Sequence, residues 1–144
     1  MFDSDTYLFS SDTAEWEIKS SSNLLSKRNA FTLVSCKDRA YVFGGVYGLL
    51  SARNDVLVMN ESFTWKTHFQ TLTKGRMGFR SVVYSDEKDN NVILHVGGSQ
   101  LQHIEFWQLK RDGSFTINIS KEMTDYWNNW PETFLVDRDD FEPL

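Results

Sequence analysis

The sequence predicts an all-β protein assembled from repeated four-stranded antiparallel units, and three observations carry that expectation. Residues 5–16, 54–65 and 104–115 superpose on one another without gaps, and each segment ends on a large aromatic, Trp16, Trp65 and Phe115. An upstream segment recurs as well: residues 28–35 and 76–83 align, each opening on an arginine, Arg28 or Arg76. Each then leads into an apolar run closed by paired glycines, Gly44 and Gly45 after Tyr41, Val42 and Phe43, and Gly97 and Gly98 after Leu94, His95 and Val96. A fixed internal period decides architecture before local propensity does.

Each period reads as four short strands, because runs rich in β-branched and aromatic residues alternate with clusters of turn formers. In the order of the chain, Thr6–Phe9 and Glu15–Lys19 supply two strands of a half unit. The first complete unit has strands near Phe31–Lys37, Arg39–Phe43, Asp55–Asn60 and Thr64–Phe69. The second has them near Phe79–Ser85, Val92–Val96, Glu105–Leu109 and Ser114–Ile119. The polar stretch from Ser85 to Asn91 has the composition of a longer hairpin loop and accounts for the difference in spacing between the two units. Four short strands per period make the unit a propeller blade. The expected organisation is a half blade over residues 1–22, blades over 23–71 and 72–120, and an aromatic and acidic tail over 121–144.

Composition narrows the class. Eleven Phe, five Trp and five Tyr against two Pro in 144 residues provide the apolar surface that a folded chain needs to offset its conformational entropy. One cysteine, Cys36, with three scattered histidines, His68, His95 and His103, makes neither an intramolecular disulfide nor a zinc site. No metal and no cofactor are therefore expected, and a reducing, cytoplasmic setting is favoured, with the nucleus also open. The N-terminus lacks the basic and apolar pattern of a signal peptide, and no apolar run approaches the roughly 20 residues that span a bilayer. The net charge of −5 resides in the tail, where Glu122, Asp125, Glu132, Asp137, Asp139, Asp140 and Glu142 face only Lys121 and Arg138. The neutral body has no broad basic footprint, so neither nucleic acid nor membrane is an expected partner.

The joint recurrence of Arg28 and Arg76, of Tyr-Val-Phe-Gly-Gly at 41–45, of Asn54-Asp55 before the third strand and of Trp65 eleven residues on resembles the kelch family of β-propellers. The resemblance covers residues 5–120 and departs at Phe115, where Trp is usual, and at His95, where an aromatic or aliphatic is commoner. It implies a kelch-type β-propeller fragment of four-stranded antiparallel blades. A propeller closes with about four to eight blades, so two and a half are expected to need further blades from a longer chain or another subunit.

Residues that recur belong to the scaffold in this reading. Gly44, Gly45, Gly97 and Gly98 serve a sharp turn through positive φ beside a neighbouring backbone. Trp16, Trp65 and Phe115 fill the wedge between blades, and Arg28 and Arg76 bond to a neighbouring turn. Function is sought where the repeats differ. Residues 46–53 and 99–103 connect the second and third strands of each blade, and such loops line the partner-binding face of kelch propellers. Tyr47, Leu49, Leu50, Arg53, Gln100 and Gln102 are the candidate contacts, against the plainer alternative that they tuck onto their own blade. In the tail, Trp127, Trp130 and Phe134 are anchors, either on this protein or on a partner.

Catalytic patterns are missing from the sequence: there is no Gly-x-Ser-x-Gly elbow, no Walker loop and no His-Glu-x-x-His. The expected function is a non-enzymatic protein interaction module, an adaptor, scaffold or substrate-recognition subunit. The resemblance makes a ubiquitin ligase assembly one setting, although no BTB or F-box segment lies within these residues. A structural segment that completes a propeller in a larger complex is the alternative. A copper oxidase-like propeller is the third reading, opposed by the lack of clustered Tyr, Cys and His.

Overall fold

A computed structural model describes residues 4–19, 23–48, 51–85, 88, 90–98 and 104–120. The described residues form ten strands and no helix: β1 (Tyr7–Ser10), β2 (Glu15–Ile18), β3 (Thr32–Cys36), β4 (Arg39–Phe43), β5 (Val56–Met59), β6 (Trp65–Thr67), β7 (Arg80–Ser85), β8 (Asn91–Val96), β9 (Ile104–Leu109) and β10 (Phe115–Ser120). They make three antiparallel sheets in chain order, a β1–β2 hairpin and two four-stranded meanders, β3–β4–β5–β6 and β7–β8–β9–β10.

Local chemistry accounts for the meanders. Along β3, Thr32, Val34 and Cys36 are buried while Leu33 and Ser35 face out, the period-2 pattern of a strand with one packed face. Lys37 and Asp38 both adopt positive φ, 45° and 60°, and form a two-residue turn between the register partners Cys36 and Arg39. Such turns match the right-handed twist of the strands they join. The β5–β6 turn is tied by the Asn60 side chain, whose Oδ1 accepts from the amides of Ser62 and Thr64, at 3.0 and 2.9 Å. Asp112 does the same work before β10, accepting from the Ser114 amide and hydroxyl.

Strand β6 is shorter than the expected Thr64–Phe69, and side-chain bonding explains the early end. His68 Nδ1 accepts from the Gln70 amide, and His68 Nε2 bonds to the Gly113 carbonyl at 3.1 Å. His68 still donates its amide to Val56 O at 2.8 Å, and these side-chain bonds turn the chain toward the second meander there, leaving Phe69 exposed. Gln70 completes the attachment: its amide nitrogen donates to Phe115 O at 2.7 Å, and its Oε1 accepts from Phe115 N at 2.6 Å.

The main core lies between the two meanders. Val34, Cys36, Tyr41, Phe43 and Val56 on the first sheet pack against Phe79, Ile93, Trp107 and Phe115 on or beside the second. Phe43 meets Trp107 edge-on at 5.3 Å, and Tyr41 meets Phe115 edge-on at 5.5 Å. Complete burial of a ring such as Trp107 contributes on the order of 2–3 kcal/mol. The opposite face of the first meander buries Val42, Leu57 and Trp65, with Leu24 and Phe31 against them. Trp65 also donates its indole N–H to Thr6 Oγ1 beside β1, at 3.3 Å.

Trp16 departs from the expectation that it fills a wedge. It is 70% exposed, whereas Trp65 and Phe115 at the matching positions are 4% and 3% exposed. The reason is positional: Phe115 faces the first meander and Trp65 is covered by Leu24 and Phe31, while the aromatic neighbour of Trp16 among the described residues is Phe9 within its own hairpin, at 5.1 Å.

Candidate partner-binding face

One device occurs in both meanders, where the second strand ends and the third begins. In the first meander, Arg28 donates through Nη1 to the Gly44 carbonyl (3.0 Å) and pairs through Nη2 with Asp55 Oδ2 (2.8 Å). In the second, Arg76 donates to the Gly97 carbonyl (3.2 Å) and pairs with Glu105 Oε2 (3.3 Å). Each arginine thus clamps the first glycine of the pair to the acid that opens the third strand. The arginines were expected beside a turn, but their acids were not foreseen. Asp55 and Glu105 occupy one column of the gap-free alignment, the signal that would have found them.

The glycines let the two sheets approach. Gly44 and Gly45 have φ of +60° and +94°, Gly97 and Gly98 +78° and +105°. A Cβ on Gly44 would lie 2.6 Å from the Arg76 carbonyl, and the Gly45 amide donates to that same carbonyl at 2.7 Å. Gly97 holds the matching place in the second sheet, but a Cβ there would meet no described atom within 4 Å.

Arg53, a candidate contact residue, belongs partly to this scaffold. Its Nε and Nη2 make a bidentate pair with Asp55 Oδ1 and Oδ2 at 2.9 and 3.0 Å, so Asp55 is shared between two guanidinium groups. Burial works to raise the Asp55 pKa, but hydrogen bonds and charge from Arg53 and Arg28 outweigh it and hold the carboxylate below its ordinary range. Arg53, a candidate contact with packing onto its own blade as the alternative, is held by Asp55 and keeps its side chain partly exposed. Tyr47, in the same connection, is 48% exposed. Leu49, Leu50, Gln100 and Gln102 lie outside the described residues, as do Trp127, Trp130 and Phe134.

A second polar group joins the sheets in their interior. Ser81 Oγ lies 2.7 Å from His95 Nδ1 and 2.7 Å from Thr32 Oγ1, linking β8, β7 and β3. The Ser–His distance is one a nucleophile and its base would have. Burial, with the Arg76 charge in support, pushes the His95 pKa down to about 3, so the imidazole does not take up a proton near neutral pH. Phe43, Phe79 and Trp107 enclose the ring, and His95 Nε2 has no hydrogen-bond partner among the described residues. The cluster is a bolt between sheets. His95 occupies the position where an aromatic or aliphatic was the commoner expectation, and it fills that place with its ring while bonding Ser81 with its nitrogen.

Burial also raises the Cys36 thiol above its ordinary pKa, opposite to what a reactive cysteine requires. Among the described residues no three His, Cys, Asp or Glu side chains form a metal-binding cluster, and no helix is long and apolar enough to cross a membrane.

Together the described residues define an all-β protein of antiparallel meanders packed on one another and held by repeated arginine–acid clamps. No family model matches the chain, and no curated protein matches it.

Proposed function

We propose that the chain is a segment of a kelch-type propeller, acting as a non-enzymatic module that binds another protein through its β4–β5 and β8–β9 connections in a cytoplasmic setting. One observation carries the reading. The two meanders repeat the same Arg–Gly–acid clamp, at Arg28, Gly44 and Asp55 and at Arg76, Gly97 and Glu105, yet carry unlike sequences between the glycines and the acids. A repeated frame that holds dissimilar loops at one end is how a scaffold presents a recognition surface. Within that surface Tyr47 offers a large half-exposed ring of the kind that anchors protein interfaces. An adaptor, a scaffold or the substrate-recognition part of a ubiquitin ligase would use it in the same way.

The test is affinity capture from cytosolic extract with the intact chain, compared with a Tyr47→Ala, Leu50→Ala double variant. Arg53 is left in place because its loss would also release Asp55. Loss of specific partners from the variant, with its far-ultraviolet circular dichroism unchanged, is the expected result; an identical set of captured proteins would count against the loop assignment.

The exposed ring of Trp16 favours a second reading, in which the segment completes a propeller within a larger complex. Sedimentation of the purified chain as a well-behaved monomer would sink it.

A further inference from the structure

Where β3 turns into β4 and β9 turns into β10, the two meanders part and leave an open cleft of about 350 Å³. Lys37 and Arg39 line it from the first meander, Lys110 and Arg111 from the second. Each pair is set by a tight turn: Lys37 has positive φ just before Arg39, and the Lys110 carbonyl accepts from the Gly113 amide at 3.1 Å. The pairs are distant in sequence and meet because the two sheets pack on one another. The cleft lies at the ends of β4 and β9 away from the arginine clamps, since Gly44 directly follows β4 and Glu105 is the second residue of β9.

All four cations are exposed, and none forms an ion pair with another described residue. The acid of the lining, Asp112, engages its Oδ1 with the Ser114 amide and hydroxyl, at 3.0 and 2.6 Å. Tyr41 is the buried member of the lining, 2% exposed, and its hydroxyl bonds to no other described residue. Burial, with Cys36 acting in the same sense and the Arg39 charge against it, holds that hydroxyl above its ordinary pKa, so it keeps its proton and donates. The scaffold does not need these charges. At the matching place in the first meander the β5–β6 turn has Asn60 and Glu61 in the columns of Lys110 and Arg111, and it closes through Asn60. Like charges gathered without a counter-charge oppose the compact state. An anionic ligand relieves that repulsion.

We infer that this cleft binds a phosphomonoester carried on a side chain of another protein, with Lys37, Arg39, Lys110 and Arg111 holding its charge and Tyr41 donating to one of its oxygens. A phosphomonoester is close to a dianion near neutral pH and offers three strong acceptor oxygens. Guanidinium groups take such oxygens in bidentate pairs, and ammonium groups add point charge. The cations are confined to one cleft, so there is no extended basic surface to track a polynucleotide or to lie on an anionic bilayer. Sites for free small molecules enclose most of their ligand. Here every cation is exposed, which suits a group projecting from a larger body. The cleft goes beyond the loop assignment and is independent of it, since it uses a different surface of the molecule.

The experiment measures, by fluorescence anisotropy, binding of the full chain to degenerate peptide libraries with a fixed central phosphoserine, phosphothreonine or phosphotyrosine, against the same libraries unphosphorylated. Phosphorylation is expected to tighten binding of at least one library by about tenfold or more. A Lys110→Asn, Arg111→Glu variant, which takes the residues of the matching first-meander turn, should lose about tenfold. Tyr41→Phe, which keeps the ring and removes the hydroxyl, should lose about threefold. Inorganic phosphate should compete with the peptide. Equal affinity for phosphorylated and plain libraries would overturn the inference, and so would unchanged affinity in both variants. Capture of inorganic phosphate, or of vesicles containing phosphoinositide, with every peptide library failing would overturn it equally. If the charge variant fails to fold, amide chemical shifts of the native chain titrated with the tightest phosphorylated library decide: changes centred on residues 37–41 and 109–113 support the cleft, and changes centred elsewhere refute it.

Discussion

Acidification from pH 7 to pH 5 is expected to weaken this protein through one residue. His95 is fully buried, its ring enclosed by Phe43, Phe79 and Trp107, and burial together with Arg76 holds its pKa at about 3. In the unfolded chain it titrates near the ordinary value of about 6.5. A folded pKa below the unfolded one means that the unfolded state binds the extra proton. Stability is then complete above about pH 6.5 and falls as the pH drops toward 3, by about 1.4 kcal/mol per pH unit inside that window. Between pH 7 and pH 5 the loss comes to about 2 kcal/mol. Asp55 does not imitate this, because its carboxylate, held below its ordinary range, releases its contribution only at lower pH. Urea unfolding at the two pH values should show a midpoint shift on the order of 1 M for the native chain. A His95→Gln variant keeps a polar partner for Ser81 but cannot titrate, so its midpoint should shift by much less, whatever its starting stability. Equal shifts in the two proteins would refute the reasoning, because the pH dependence would then arise elsewhere.

Three further outcomes follow from the packing, each read by urea or thermal unfolding. Arg76→Met should cost about 3–5 kcal/mol, because it strands the fully buried Glu105; Arg28→Met should cost less, because Asp55 keeps Arg53 and some solvent. Equal losses would mean that the second guanidinium on Asp55 contributes nothing. Gly44→Ala should be markedly worse than Gly97→Ala: both strain a positive φ, at about 1–2 kcal/mol, but only the Cβ at 44 meets the Arg76 carbonyl. Trp65→Ala should cost about 3–5 kcal/mol, while Trp16→Ala, at an exposed ring, should stay within about 0.5 kcal/mol. A large loss at Trp16 would show that its ring is covered in solution.

The difference between the two tryptophans shows where sequence reasoning stops. Strand positions were legible because period-2 alternation and turn chemistry are written within a few consecutive residues, as in Thr32–Cys36 and the Lys37–Asp38 turn. The end of β6 was not, because the bonds from His68 and Gln70 that peel the chain away reach Gly113 and Phe115, 45 residues on. The bidentate pair of Arg53 with Asp55 was not legible, because nothing at position 53 announces that Asp55 will accept from both of its nitrogens.

By itself, then, the sequence determined the all-β class, the repeat and the places where glycine is required, since these follow from local backbone geometry and a period that recurs in the chain. Tertiary structure alone decided which copy of a repeated residue is buried, which acid each arginine clamps and why a histidine sits in an aromatic core. Burial and pairing depend on what lies across a face. Trp16 and Trp65 share a position in the repeat, but of the two only Trp65 is covered among the described residues, by Leu24 and Phe31.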